Sequence, residues 1–137
     1  MAANPLFVDT SAWYAYVDKS DADHSPAVNV VRNLNHPLIT SNYVFDEILT
    51  LAMVRLGFSV AATFGKKLWN QEIVTLVRVS EEDEAKAWET FLKYRDKGFS
   101  FTDCTSFAIM ERLNISMAFA FDSHFNQYGQ FTIIPSA

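Results

Sequence analysis

Five short runs of apolar, β-prone residues punctuate the chain: Leu6–Val8, Pro37–Thr40, Ile73–Val79, Met117–Phe121 and Thr132–Ile134. Little polar alternation interrupts them, which is the pattern of strands covered on both faces. Between them, apolar positions recur at helical spacing. One helix is predicted from Ser25-Pro26, where proline suits a first turn, to about Leu34. A long one covers Asn42–Leu56 and stops at Gly57, and another spans Val60–Asn70. The acidic run Ser80-Glu81-Glu82-Asp83-Glu84 opens a helix that ends near Gly98, its charge favoured at the positive end of the helix dipole. A further helix runs from Thr102 to Leu113. Strands alternating with helices predict an α/β fold on a mostly parallel sheet of about five strands. In such sheets ligands bind beyond the carboxyl ends of the strands. Functional residues are therefore expected just after strands or at the starts of helices.

Half of the 137 residues are apolar, and no repeat, linker or low-complexity stretch divides them, so the chain reads as one domain, 1–137. The net charge of −5 argues against a grip on nucleic acid by bulk positive charge. It leaves room for an enzyme that meets phosphates through metal ions and a local basic patch. A single cysteine, Cys104, cannot pair within the chain, which fits a reducing cytoplasm. Neither a signal-peptide pattern nor an apolar run of roughly 18 residues is present, so a cytoplasmic location away from membranes is expected.

Four carboxylates occupy the places such a fold uses. Asp9 follows the first strand in Leu6-Phe7-Val8-Asp9-Thr10-Ser11, and Asp122 follows the fourth in Ala120-Phe121-Asp122-Ser123. Each also suits the N-cap of a following helix. Asp103 stands in Ser100-x-x-Asp103, a capping-box spacing, yet it heads a stripe with Phe107 and Met110. Glu47 shares a helical face with Tyr43, Val44, Leu51 and Val54, whereas its neighbour Asp46 falls with Asn42 and Thr50. An acid on an apolar face must be paired, protonated or bound to a metal. No set of Lys or Arg partners is evident, and oxygen-only donors point to a hard cation, Mg²⁺ or Mn²⁺. One cysteine and three scattered histidines, His24, His36 and His124, make a poor zinc set. The histidines read as surface or loop residues, with His124, beside Asp122, at the rim. Carboxylates around a hard metal suit phosphoester hydrolysis, in which one or two ions activate water and neutralise developing charge.

With Asp9-Thr10-Ser11, Glu47, Asp103 and Asp122 in this order, the chain resembles the PIN-domain family, in particular its VapC-type toxin ribonucleases. The segment FSFTDCTSFAIMERLNISMAFAFDSHFNQYG, Phe99 to Gly129, carries much of the likeness, which extends over essentially the whole chain. The resemblance implies a three-layer α/β/α fold and an Mg²⁺- or Mn²⁺-dependent endoribonuclease. It also implies a homodimer, and a small antitoxin whose C-terminal segment enters the active-site groove. Carried over by position, Asp9, Glu47, Asp103 and Asp122 form the catalytic and metal-holding pocket. Ser11 supports it by hydrogen-bonding a carboxylate, with Thr10 and Ser123 as further supports.

The expected substrate is RNA in a single-stranded or loop region. Lys93, Arg95 and Lys97, around Tyr94, are the basic candidates for its surface, although they also suit an ordinary helix end. Lys66, Lys67 and Arg112 read as plain surface charge. The aromatics Trp13, Tyr14, Tyr16, Phe45, Phe64 and Trp69 read mostly as core, some as a dimer or antitoxin face. Two other readings stay open: a stand-alone RNA-processing nuclease, and a non-catalytic protein-binding module of the same fold. A dehalogenase-type phosphatase would need an acid where Ser11 stands, and a dinucleotide site would need a glycine-rich first turn.

Overall fold

A computed structural model describes residues 4–33 and 35–135. Its elements run β1 (Leu6–Val8), α1 (Thr10–Val17), α2 (His24–Asn33), β2 (Leu38–Ser41), α3 (Asn42–Leu56) and α4 (Phe58–Trp69). They continue as β3 (Thr75–Val77), α5 (Glu81–Lys93), α6 (Phe101–Arg112), β4 (Met117–Phe119), α7 (His124–Tyr128) and β5 (Thr132–Ile134). The five strands form one sheet in the order β3-β2-β1-β4-β5, and every pairing is parallel. Helices flank the sheet in an α/β/α arrangement, and Leu6, Phe7 and Val8 of the central strand are wholly buried.

From β1 the chain builds one half of the sheet outward through β2 and β3, then returns to β1's other side for β4 and β5. That reversal is the switch point of an open α/β sheet, where a crevice opens beyond the strand ends. Val8 stands opposite Phe119, and Asp9 N–H donates to the Phe119 carbonyl at 3.0 Å. The residues just past β1 and β4 therefore meet.

Strands and helices differ from the periodicity at identifiable places. The strand expected over Met117–Phe121 ends at Phe119, because Phe121 N–H turns to the Ser11 hydroxyl at 3.0 Å. The one expected over Ile73–Val79 is confined to Thr75–Val77, and Val79 N–H donates to the Asn42 side chain at 2.8 Å. Helix α1 has no amphipathic signature because Thr10, Ala12, Trp13, Tyr14 and Ala15 are all buried. Helix α7, five residues long, is too short to show one. Leu34, the expected end of α2, lies outside the described residues. Helix α3 stops at Gly57 as its pattern predicts; the positive φ of 97° there suits a residue without a Cβ.

Candidate metal and nuclease site

Asp9 N-caps α1. Its Oδ2 accepts from the Ser11 amide at 3.3 Å and the Ser11 hydroxyl at 2.8 Å. The same hydroxyl oxygen accepts from the amides of Phe121 at 3.0 Å and Asp122 at 3.4 Å. Ser11 thus ties the end of β1 to the loop after β4. Its hydroxyl contacts both the Asp9 carboxylate and the backbone after β4. Asp9 is 1% exposed, and its other oxygen, Oδ1, is buried with no hydrogen-bond partner. Burial, then the Asp122 and Asp103 charges, raise its pKa well above the ordinary carboxylate value.

Asp103 sits in the first turn of α6 within a complete capping box. Ser100 Oγ accepts from Asp103 N–H at 3.0 Å, and Asp103 Oδ2 accepts from Ser100 N–H at 2.9 Å. The same Oδ2 contacts His124 Nδ1 at 2.7 Å. Burial raises Asp103 as well, although the Ser100 amide and His124 oppose the rise. Asp122 is less buried, and its Oδ1 accepts from the His124 amide at 3.0 Å. One ligand atom from each of Asp103, Asp122 and His124 lies within 4.8 Å of the others. Each aspartate therefore has one oxygen engaged by protein donors. Asp9 Oδ1, Asp103 Oδ1 and Asp122 Oδ2 make no hydrogen bond among the described residues.

Glu47 lies on α3 in the wall of an open groove of about 600 Å³ that Thr10, Thr50, Leu51, Val54, Arg55 and Thr102 also line. The expected apolar face around it is only partly buried: Val44 is fully covered, whereas Val54 is 75% exposed. Glu47 is accordingly half-buried, and burial still raises its pKa, with Asp103 and Asp122 adding to the rise. The Thr10 and Thr102 hydroxyls beside it oppose that rise, although Thr10 Oγ1, buried, meets no partner at full hydrogen-bond geometry. No Lys or Arg forms an ion pair with any of the four acids among the described residues.

The other sequence candidates separate. The Ser123 hydroxyl accepts from the Gln127 side chain at 2.7 Å, at the exposed head of α7. Lys93, Arg95 and Lys97 are exposed on the last turn of α5 and just beyond it. Lys93 lies over the Tyr94 ring at 5.4 Å, and Tyr94 packs on Phe99, which packs on His124. Arg112 is not plain surface charge: its guanidinium forks onto the buried Asp83 at 2.8 and 2.9 Å. Trp69, read as core, is 57% exposed.

His124 is more than a rim residue, and only its D-x-H spacing with Asp122 marked it in the sequence. Cys104, next to Asp103, stands outside the trio of Asp103, Asp122 and His124; burial, then Asp103, push its thiol up to about 11. The arrangement fits a hard divalent cation. Asp103 and Asp122 each bring a ligand atom within 4.8 Å of the other and of His124. Asp9 stands outside that trio but near enough to feel both charges, and its Oδ1 is buried and orphaned.

Known proteins resemble this chain in sequence and in fold. The PIN domain family profile matches residues 6–130. The 23S rRNA-specific endonuclease VapC20 of Mycobacterium tuberculosis is 34% identical over 130 residues, 95% of this chain and 98% of that protein. A VapC ribonuclease of Archaeoglobus fulgidus is 27% identical over 87% of this chain and 78% of its own length. The crystal structure of M. tuberculosis VapC20, described as a sarcin–ricin loop cleaving toxin, superposes with a TM-score of 0.86 at 33% identity. It covers 91% of this chain and 95% of that one. The chain belongs to the PIN-domain family, within its VapC-type branch of nucleases.

Proposed function

We propose that this chain is an Mg²⁺- or Mn²⁺-dependent endoribonuclease acting on RNA in a single-stranded or loop region, and the toxin of a toxin–antitoxin pair. The observation that carries the metal reading is Asp9. A buried carboxylate with an unpartnered oxygen, between two further acids and without a Lys or Arg partner, carries a charge at low cost only when a cation sits against it; otherwise it takes up a proton. Asp9, Asp103 and Asp122 would hold that ion, and Glu47 would face it from the α3 side of the groove. The ion would supply neutralisation of phosphate charge and a more acidic water. Ser11 keeps the ends of β1 and β4 together, and Glu47 and Thr10 offer acceptors that orient water.

The groove holding Glu47 has one cation among its lining residues, Arg55, which lies over the Tyr14 ring at 5.2 Å. Arg55 on one side, and Lys93, Arg95 and Lys97 beyond Phe99 on the other, are our candidates for the RNA backbone. The likeness to VapC20 supports a ribosomal RNA loop as the substrate class. Exposed Met53, Val54, Phe58 and Trp69 on the α3–α4 hairpin, and Trp88, Phe91 and Leu92 on α5, support faces for an antitoxin and a second copy of the chain. The cytoplasm is where this substrate and a free thiol belong. No helix among the described residues is long and apolar enough to cross a membrane.

The test is purified chain incubated with ribosomal RNA in Mn²⁺, Mg²⁺ or chelator, for wild type and Asp9→Asn. Cleavage that needs the cation and is lost in a folded Asp9→Asn variant is expected. A folded Asp9→Asn protein cutting at the wild-type rate would sink the reading. Growth arrest on expression of wild type alone separates a toxin from a stand-alone processing enzyme.

A further inference from the structure

The three aspartates are held in different ways. Asp9 is anchored by Ser11 and Asp122 by the amide of His124, each two residues along the chain. Only Asp103 also depends on a side chain from a distant element, the His124 ring 21 positions away. His124 thereby touches two acids at once. Its backbone N–H donates to Asp122 Oδ1 at 3.0 Å, and its ring meets Asp103 Oδ2 at 2.7 Å. With Asp103 ionised the carboxylate can only accept, so the ring donates to it through Nδ1–H. That nitrogen then has no lone pair to give a metal. The ring is seated edge-on against Phe99 at 5.6 Å, and Phe99 packs on Phe107 of α6, the helix that carries Asp103.

The Asp83 site shows why the identity of this donor matters. It has the same capping box, but there the second partner is the Arg112 guanidinium, whose fork engages both carboxylate oxygens. A single imidazole N–H engages only one. We propose that His124 is a positioning residue of the metal site: it clamps Asp103 Oδ2 and Asp122 Oδ1, so that Asp103 Oδ1 and Asp122 Oδ2 are presented to the cation as two single donors. This rests on the metal-dependent reading above and adds to it the group that sets the donor geometry.

The test titrates Mn²⁺ alone into metal-free full-length protein by calorimetry, for wild type, His124→Ala and His124→Asn. The Asn amide nitrogen lies as many bonds from the backbone as Nδ1, so it keeps the donor without an imidazole. His124→Ala is expected to weaken Mn²⁺ binding about 10–100-fold, the usual cost of losing an outer partner of a metal ligand. His124→Asn is expected to recover most of that loss, and kcat for RNA cleavage should follow the same order. Unchanged or tighter binding by His124→Ala overturns the proposal. So does His124→Asn binding as weakly as His124→Ala, which would make the ring itself the ligand. If the Ala variant does not fold in a urea melt, Asn alone decides: binding within about threefold of wild type supports the clamp, and a loss of tenfold or more overturns it. Wild type that binds no Mn²⁺ removes the metal reading and this inference together, whereas binding by wild type that both variants match removes only the inference.

Discussion

Asp83 and Asp103 are the same residue in the same motif on two helices packed against each other. Each is the third residue of its helix, each completes a capping box with a serine three positions earlier, and each is almost fully buried. Their chemistry is opposite. At Asp83 burial disfavours the charge, but the Arg112 fork and the Ser80 bonds outweigh it and hold the pKa below the ordinary value. At Asp103 burial prevails over the Ser100 amide and His124, and the pKa is raised. A capping box therefore says where an acid sits, and the groups facing it from other elements decide what it is for. Asp83 is a closed ion pair that fastens α5 to α6. Asp103 is an acid with an open oxygen at a sheet switch point.

Neutralising each acid should break the comparison most sharply. Asp103→Asn retains the shape of the cap and removes a charge proposed to face the metal; RNA cleavage is expected to fall by at least about 10²–10³-fold, the scale of losing one group that stabilises developing charge. Asp83→Asn should cleave within a few-fold of wild type, because both oxygens of its carboxylate are taken up by the Arg112 fork. Measuring kcat/KM for both in the same metal buffer checks this. Equal losses would mean that the two acids are functionally alike.

The next effect is on stability and runs the other way. Arg112→Ala leaves the Asp83 carboxylate buried with only its serine cap. Breaking a fully buried pair costs about 3–5 kcal/mol, but the Arg112 side chain is 41% exposed, so about 2 kcal/mol is expected. Urea unfolding of metal-free protein reports it as a lower midpoint with an unchanged slope. Removing the acid-facing partner at the other site, in His124→Ala, should shift the midpoint less, since Asp103, unlike Asp83, takes up a proton more readily than a free carboxylate. A midpoint for Arg112→Ala within about 0.5 kcal/mol of wild type would show that the fork is decorative.

The difference between these two acids also marks what could be read from the chain alone. The apolar runs around Phe7, Ile39, Leu76, Ala118 and Ile133 announce a covered parallel sheet, because strands buried on both faces need no alternation. The spacing of Asp9 and Asp122 after two such runs points to the switch point. Hydrophobic periodicity misses α1, because a helix buried nearly all round has no polar face to create a period. Nothing local distinguishes Ser80-x-x-Asp83 from Ser100-x-x-Asp103; Arg112 and His124 reach them across 29 and 21 positions. Long-range pairing is likewise why Arg112 looks like surface charge and His124 like a loop residue. Glu47 stands out as an acid among apolar neighbours. Its face, however, opens onto a groove at Val54 rather than into the core.

The smallest expected effect is a dependence on pH that the two acids pull in opposite directions. Asp9, Asp103 and Glu47 have raised pKa values, so between about pH 4, where unfolded carboxylates titrate, and their folded values the native state holds more protons than the unfolded chain. Their contribution to the stability of metal-free protein therefore falls as pH rises through that window. Asp83 has a lowered pKa; its contribution is present above the unfolded value and is lost as pH drops through the folded one. Asp9→Asn removes the most strongly raised member of the first group and leaves Asp83 alone. Metal-free Asp9→Asn should thus gain stability over wild type progressively as pH climbs from about 4 toward neutrality. Saturating Mn²⁺ should erase or reverse that gain, because the cation stabilises only the wild-type carboxylates. Chemical unfolding at several pH values, with and without Mn²⁺, measures both halves. A wild-type advantage that grows with pH in the absence of metal would mean that Asp9 is paired like Asp83.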